Sequence, residues 1–536
     1  MKLIEHATAE KLRGGFYTPE AIADFILKWG LNNNATNFDI LEPSCGDGVF
    51  LERLKSYEHT FNSVTAIELD ETEAIKAESI NLAHTTIINA DFHVYCNETA
   101  NRYDLVVGNP PYIRYQYFNQ EQQIEAEKIF NRSGLKYSKL TNAWVSFIIG
   151  ASQLLKENGK IGFVIPAEVL QVSYAQQLRD FLARFYNKVN IISFKKLVFP
   201  IIQQEVVLLL CEKNGSGTHL IDHLEVTDAQ DLLKLDISRL NNPTKQIDFQ
   251  SRKWTFYFLD QNEIDFLENI ANDKSLFNIG HYAKVEVGIT TGANDYFTVP
   301  TSTVKQYDLH DFAKPMVGRS VQVDSAVFNN SDWEKNSKSK AKANLLVFPP
   351  KKILNGHLGA KSYISYGEEQ GINKGYKCGI RDDWFSVPSI KISNALFIRR
   401  NNHFPKLILN EAQAYTTDTM HRVNVKSNTN LKAFIASYYN SLSLAFAEIT
   451  GRSYGGGVLE LMPSEVGNIL LPYHIKHEAL LDEIDHFLRA KTNIHDILKI
   501  TNKIILKNNY GFSQKEINMA NAIWTKLSSR RLNRKY

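Results

Sequence analysis

Four residues carry the densest chemistry in this chain: Asn109-Pro110-Pro111-Tyr112, directly after the apolar run Tyr103–Gly108. That run has the length and composition of a buried parallel strand. In an open α/β sheet, ligands bind at the carboxyl ends of strands. The two prolines stiffen the backbone and remove two N–H donors. Backbone carbonyls and the Asn109 side-chain oxygen are then left as acceptors beside an aromatic ring. Such a group suits a planar ligand with an exocyclic amine, adenine being the obvious example. The plain alternative is a proline-rich turn that ends a strand.

Three other strand ends repeat the pattern. Phe38-Asp39-Ile40-Leu41 reads as a strand and runs into Glu42-Pro43-Ser44-Cys45-Gly46-Asp47-Gly48. Small residues there let backbone approach a ligand closely. The loop is neither a GxxxxGK[ST] phosphate loop nor a GxGxxG fingerprint. Glu68 closes the strand Val64–Ile67, 20 residues past Gly48, the spacing at which an acid grips a ribose diol in nucleotide-binding α/β folds. Strand Thr86–Ala90 ends in Asp91-Phe92, an acceptor for an amine and a cover for a ring face. Each acid alone is an ordinary strand-end residue. Glu42, Glu68, Asp91 and Asn109 on four successive strand ends point together to a nucleoside-like ligand.

The elements that hold these residues begin at Thr18-Pro19-Glu20, which reads as N-cap, first helical residue and first-turn acid of a helix carrying Ile22, Phe25, Ile26 and Trp29 at helical spacing. A helix N-terminus there offers N–H groups to a carboxylate. Residues 113–142 interleave basic and aromatic side chains (Arg114, Tyr115, Tyr117, Lys136, Tyr137, Lys139), either a surface that touches phosphates and bases or an exposed loop of mixed chemistry. A helix from Asn142 to Lys156 follows, then strands at 160–166, 189–194 and 205–211. Phe199 falls between the last two, either a platform for a planar ligand or a loop ring folded into the core. Residues 212–250 read as polar and irregular. The main domain boundary is expected near 240–255, dividing a domain of residues 1–245 from one of 246–536. The second half mixes short strands and loops, with helices at 431–450 and 477–506. Lys526, Arg530, Arg531, Arg534 and Lys535 make a cationic tail, either phosphate-seeking or solubilising.

Composition bounds the rest. A chain of 536 residues has room for two to four domains, at about 100–200 residues each. Net charge is only +3, so any nucleic-acid surface must be local. The four cysteines Cys45, Cys96, Cys211 and Cys378 form no CxxC pair, which argues against a zinc site or disulfide frame and for a reducing cytoplasmic setting. No metal is expected. The apolar runs are strand-sized, far short of a membrane span.

In order, Gly15-Phe16-Tyr17-Thr18-Pro19, Leu41–Leu51, Ala66–Asp70, Ala90–Phe92, Asn109–Tyr112 and Val198-Phe199-Pro200 resemble the motifs of the gamma-class, TaqI-like adenine-specific DNA methyltransferases of restriction–modification systems. Tyr376–Arg381, Thr417–Arg422 and Gly451–Leu461 look like that family's C-terminal half. The tetrapeptide alone is shared with protein glutamine methyltransferases; the ordered set is far more specific. One departure is that Glu42-Pro43 stands where FxGxG often begins.

The resemblance implies a class I, Rossmann-like methyltransferase fold with a mixed seven-stranded sheet, plus a mixed α+β target-recognition domain. It implies S-adenosylmethionine as cofactor. Tyr17, Thr18 and Pro19 would meet its methionine end, over Glu42, Pro43 and Gly46. Glu68 would take the ribose, and Asp91 and Phe92 the adenine. It implies double-stranded DNA as substrate. Asn109 and the Pro110 carbonyl would hold the amine of a flipped adenine, between Tyr112 and Phe199. A monomer is expected, with any cognate endonuclease a separate protein. No Asp…Glu-x-Lys nuclease core is evident outside the methylase motifs. Rival readings are another acceptor (cytosine N4, RNA or protein glutamine) and a DNA-binding specificity subunit without turnover. Asn109 argues against the first cytosine case, where serine more often precedes the prolines. Arg319, Lys361, Arg381 and Arg422 are candidates for reading bases, and nothing in the sequence ranks them.

Overall fold

The computed structural model describes residues 17–31, 36–114, 117–199, 205–215, 217–248, 253–354 and 356–533. Arg13–Phe16, Tyr115, Gln116, Pro200, Arg534 and Lys535 lie outside them. The chain divides into two compact units between Ile264 and Asp265. The break falls later than the expected 245/246 because the turn Trp254–Phe258 is buried with the first unit, where Lys245 donates to the Tyr257 carbonyl (2.9 Å).

The first unit is one mixed sheet. Its strands are β1 (Phe38–Glu42), β2 (Phe61–Glu68), β3 (Thr85–Asn89), β4 (Tyr103–Gly108), β5 (Leu155–Pro166), β6 (Lys188–Phe194), β7 (Val206–Glu212), β8 (Leu220–Val226) and β9 (Lys245–Gln246), in spatial order β3-β2-β1-β4-β5-β7-β6-β8-β9. The first five run parallel, and β7 inserts antiparallel to both β5 and β6. The order reverses between β1 and β4, and a parallel α/β sheet opens its binding crevice at that reversal. This is the expected Rossmann-like α/β class, with two strands more than the seven expected. The extra strands come from the stretch read as polar and irregular. β8 pairs parallel to β6 near the sheet edge, where Asp222, His223 and Glu225 need not be buried.

The helices that frame the ligand end are α1 (Glu20–Gly30), α2 (Val49–Leu54), α3 (Glu71–Ser79), α4 (Phe92–Glu98), α5 (Gln120–Arg132) and α6 (Ala143–Gln153). α1 buries Ile22, Phe25, Ile26 and Trp29, the stripe seen in the sequence. Its start differs from expectation: Pro19 is the N-cap position and Thr18 makes no cap bond, but is 6% exposed and turned to ligand space. α6 ends earlier than expected, because Leu155 already pairs with Tyr103 in the sheet.

The second unit holds a five-stranded sheet of Ala283–Val287, Met420–Val425, Ala395–Ile398, Leu407–Asn410 and Val327–Phe328, with smaller sheets and a helical C-terminal part. Gly451–Leu461 is a hairpin: Arg452–Tyr454 pairs with Val458–Glu460 across glycines at φ +77° and +76°, a left-handed turn that favours glycine. The hairpin and Thr417–Arg422 are tied together. His421 bonds the Leu461 carbonyl (2.6 Å), and Arg399 bridges Glu460 (2.9 Å) and the Asp418 carbonyl (3.1 Å). Arg531 is neither tail nor phosphate-seeker. It is 1% exposed, holds Glu448 (Nη2–Oε1 2.6 Å), and donates to the carbonyls of Asn402, His403 and Gly457.

Candidate active site

A cavity of about 320 Å³ opens at the carboxyl ends of β1 to β4. The turn after β1 forms its floor. Cys45 N–H donates to the Ile67 carbonyl (2.9 Å) and Gly46 N–H to Glu68 Oε2 (2.8 Å), so the turn is pinned to the end of β2. Asp70 N–H holds the other Glu68 oxygen (2.9 Å). The Glu68 carboxylate is therefore aimed by backbone from both sides. Gly46 sits at φ +52°, and a Cβ there would meet nothing within 4 Å: the conformation favours glycine and the space above is open. At Gly48 the demand is steric, since a Cβ would fall 2.3 Å from Ile80 Cδ1.

Asp91 caps α4 and is clamped on both oxygens. Its Oδ1 accepts from His93 N–H (2.7 Å) and bonds His93 Nδ1 (2.9 Å); its Oδ2 accepts from Gln122 Nε2 on α5 (2.8 Å). Buried His93 is anchored in turn by Ser146 of α6 (2.8 Å). Burial works against the Asp91 charge, but the His93 and Gln122 bonds outweigh it and hold the carboxyl at about 2. Phe92 lies 4.8 Å from Phe147, ring to ring, as an apolar wall beside it.

Glu42 is the electrostatic anomaly. It is 1% exposed and its Oε2 has no hydrogen-bond partner among the described residues. Burial, with Glu68 and Asp47 nearby, pushes its carboxyl well above the ordinary range. Burial and Glu73 push Asp47 up as well. Glu42, Asp47, Glu68, Asp70, Glu73 and Asp91 all line the cavity, and among the described residues no lysine or arginine does. A phosphate-bearing dinucleotide would be repelled here. A cationic nucleoside whose ammonium meets an orphaned carboxylate is what this donor and acceptor set fits.

One consequence is testable without ligand. Folded Glu42 keeps its proton where the unfolded chain, at the ordinary value of 4.5, has lost it. Stability of the ligand-free protein is therefore drained as pH rises from 4.5 toward the folded value. Glu42→Gln removes that drain. Its ligand-free Tm should exceed wild type by about 2–4 °C near neutral pH, the equivalent of about 1 kcal/mol, with the gap closing in acid. A melting-temperature series across pH checks it; a lower Tm at neutral pH rejects the assignment.

Tyr17, Thr18, Glu42, Pro43, Gly46, Glu68, Asp91, Phe92 and Asn109 thus converge on one cavity, while Pro19, Pro110, Tyr112 and Phe199 do not line it. Ser44 Oγ donates to the Asn109 carbonyl (3.2 Å), which ties the β1 turn to the β4 turn. Tyr112 and Phe199 share one apolar cluster. The Tyr112 hydroxyl donates to the Val164 carbonyl (3.2 Å), and Phe199 is 8% exposed, folded into the core. Sequence reasoning missed His93, Gln122 and Phe147, which line the cavity around Asp91. His93 had a local signal, two residues past the capping aspartate; Gln122 and Phe147 had none. In the second unit, Arg381 and Arg422 are turned inward, to the carbonyls of Thr291 (2.7 Å) and Val287 (3.2 Å), whereas Arg319 and Lys361 are exposed.

Residues 33–199 match the family described as Eco57I restriction-modification methylase, and residues 251–506 match the C-terminal domain of type II methyltransferase M.Eco57I. Type II methyltransferase M.AccI of Acinetobacter calcoaceticus is 26% identical over 488 residues, covering 88% of this chain and 87% of its own. M.BstVI of Geobacillus stearothermophilus is 26% identical over 352 residues, 55% of this chain and 61% of that one. Among solved structures, the type IIG restriction endonuclease BpuSI aligns at 15% identity and a TM-score of 0.40, over 97% of this chain and 67% of that one. With both halves matched in order to one methylase family and a relative aligned nearly end to end, the chain belongs to the gamma-class type II methyltransferases of restriction–modification systems.

Proposed function

We propose that this chain methylates N6 of a specific adenine in double-stranded DNA, with S-adenosylmethionine as methyl donor. The observation that carries this reading is the acid-lined cavity without lysine or arginine, with Asn109 on its wall. S-adenosylmethionine, a phosphate-free cation, supplies a methyl group activated on a sulfonium. Tyr17 and Thr18 bind the methionine end, with Pro19 starting the helix behind them, the Glu42 carboxylate toward its ammonium and Pro43 and Gly46 beneath. Glu68 takes the ribose hydroxyls. Asp91 accepts from the exocyclic amine of the donor's adenine, and Phe92 and Phe147 cover that ring.

The acceptor amine is a poor nucleophile because its lone pair is delocalised into the ring. It is also buried in the duplex, so the base must be flipped out, at a cost of a few kcal/mol. The Asn109 side-chain oxygen and the Pro110 carbonyl accept its two hydrogens. That aims the lone pair away from the ring plane and favours a tetrahedral nitrogen. Tyr112 and Phe199 stack on the flipped base. Because Phe199 is closed into the core beside Tyr112, this step requires the turn carrying Phe199 to open. The amine proton is lost after transfer. In the cell, the modification protects cytoplasmic host DNA from a separate cognate endonuclease, and the methyltransferase works as a monomer.

Expression in a methylation-deficient host, followed by single-molecule sequencing of its DNA, tests this. N6-methyladenine in one defined sequence context is expected. Methylcytosine at the mapped sites, or no modified base at all, rejects the reading.

A further inference from the structure

A second groove, of about 500 Å³, lies in the helical C-terminal part of the second unit. It is lined by Lys499, Lys503 and Lys507 on one side and by Gln514, Asn518 and Asn521 of the final helix on the other, over Leu498 and Ile517. Its chemistry is the reverse of the acid-lined cavity: among the described residues no carboxylate lines it. Lys499 pairs with Asp496 (2.8 Å), while Lys503 and Lys507 make no ion pair among the described residues, and all three lysines are exposed.

The backbone explains why three lysines share one groove. The α-helix Ile494–Asn502 changes at Lys503 into a π-helical segment, Lys503–Asn509. Four residues overshoot an α turn of about 3.6, so Lys503 is rotated past Lys499. A π turn is wider, so the next four residues fall short of a full turn, and Lys507 rotates back. The irregular segment cancels the drift and aligns the three charges. π segments are rare and concentrate at functional sites. Asn502 fixes the wall from behind, bonding Ser441 through both its Oδ1 (2.9 Å) and its Nδ2 (2.7 Å). The lysines step along the axis by roughly 5–6 Å each. That makes a line of positive charge rather than a cup, facing carboxamides that can both donate and accept. A line suits a linear polyanion better than a single phosphate.

We infer that this groove is a sugar-phosphate docking site for duplex DNA that adds affinity without reading sequence. Half of its lining residues fall beyond the end of the matched C-terminal family domain, which stops at residue 506. The inference rests on the reading that the chain acts on duplex DNA.

The test is fluorescence anisotropy of the full chain with a labelled duplex of scrambled sequence, titrated over a range of NaCl concentrations. Wild type should show a steep fall of log affinity with log salt. K503Q/K507Q should bind several-fold more weakly at moderate salt, with a slope shallower by about 2, one for each lost phosphate contact. The control K335Q/K338Q makes the same charge change on the exposed face of helix Asn330–Lys338 and should keep the wild-type slope. Both variants should keep the wild-type Tm, and the control should also keep the methylation rate on a site-containing duplex. An unchanged slope in K503Q/K507Q, or an equal loss in the control, overturns the groove while leaving the methyltransferase reading standing. A wild type with no salt-dependent duplex binding overturns both.

Discussion

Asn109→Ala is expected to abolish methylation while leaving the donor site intact. The side-chain oxygen of Asn109 is the one acceptor that the tetrapeptide contributes from a side chain rather than from backbone. Removing one preorganised polar group that acts on the reacting atoms costs about 10²–10³ in kcat. Here the lost acceptor also orients the nucleophilic lone pair, so a drop of about a thousandfold is expected. The pocket's anchors survive the substitution, because Glu68 is held by the backbone of Gly46 and Asp70, and Ser44 bonds the backbone carbonyl of residue 109. S-adenosylmethionine affinity by calorimetry should therefore change less than threefold or so, well under the 1.4 kcal/mol of a tenfold step. Single-turnover methylation of a cognate duplex measures the rest. Near-normal turnover would remove Asn109 from the chemistry; collapse of donor binding would reassign it to the donor site.

Asp91→Asn should do the converse. The amide matches the shape, but its NH₂ must face either His93 or Gln122, both of which donate to the native carboxylate. It also meets the donor's exocyclic amine with a donor instead of an acceptor. Losing a charge-assisted bond and leaving donors unpaired costs about 2–3 kcal/mol, so S-adenosylmethionine should bind some thirty- to a hundredfold more weakly. At saturating donor, kcat should stay within a few-fold of wild type. A second readout separates this from simple unfolding. Asp91 titrates at about 2 when folded against 3.8 ordinarily, a depressed value. Its stabilisation, about 2 kcal/mol, is fully present above 3.8 and lost as pH falls toward 2. The variant lacks that increment, so its Tm should lie below wild type at neutral pH, and the gap should narrow over that window. A parallel offset at all pH values, with donor affinity unchanged, would leave Asp91 no role in binding.

Much of the catalytic half was legible because its signals are local and periodic. Apolar runs of strand length, each closed by an acid or amide, placed Glu42, Glu68, Asp91 and Asn109 at one end of a sheet before any coordinate was known. Features that depend on chain returning from afar were not legible. Gln122 reaches Asp91 across 31 residues, and no spacing rule connects them. Thr18 reads as a cap because Pro19 and Glu20 follow it, yet Pro19 takes the N-cap position and Thr18 lines the cavity. β8 was hidden by Asp222, His223 and Glu225, which an edge-proximal strand tolerates and a central strand would not. Arg531 looked like one charge of a basic tail; only the fold reveals the buried Glu448 that it neutralises. Phe199 was weighed as platform or core. In this conformation it is core, and its proposed stacking on a base depends on a rearrangement that local sequence cannot specify.

The hydroxyl of Ser44 on the Asn109 carbonyl has a thermodynamic meaning. It joins the turn that defines one pocket to the turn that presents acceptors to another. Two sites whose walls are linked in this way can have coupled affinities. Whatever a ligand at the β1 turn does to the tightness of a base at the β4 turn, the base must return by the same factor. If occupancy of the first stiffens the second, the ordering entropy of the tetrapeptide is spent before DNA arrives. Donor and acceptor then cooperate through the linked turns as well as at the transferred methyl, and the Ser44 hydrogen bond is the contact that joins those turns.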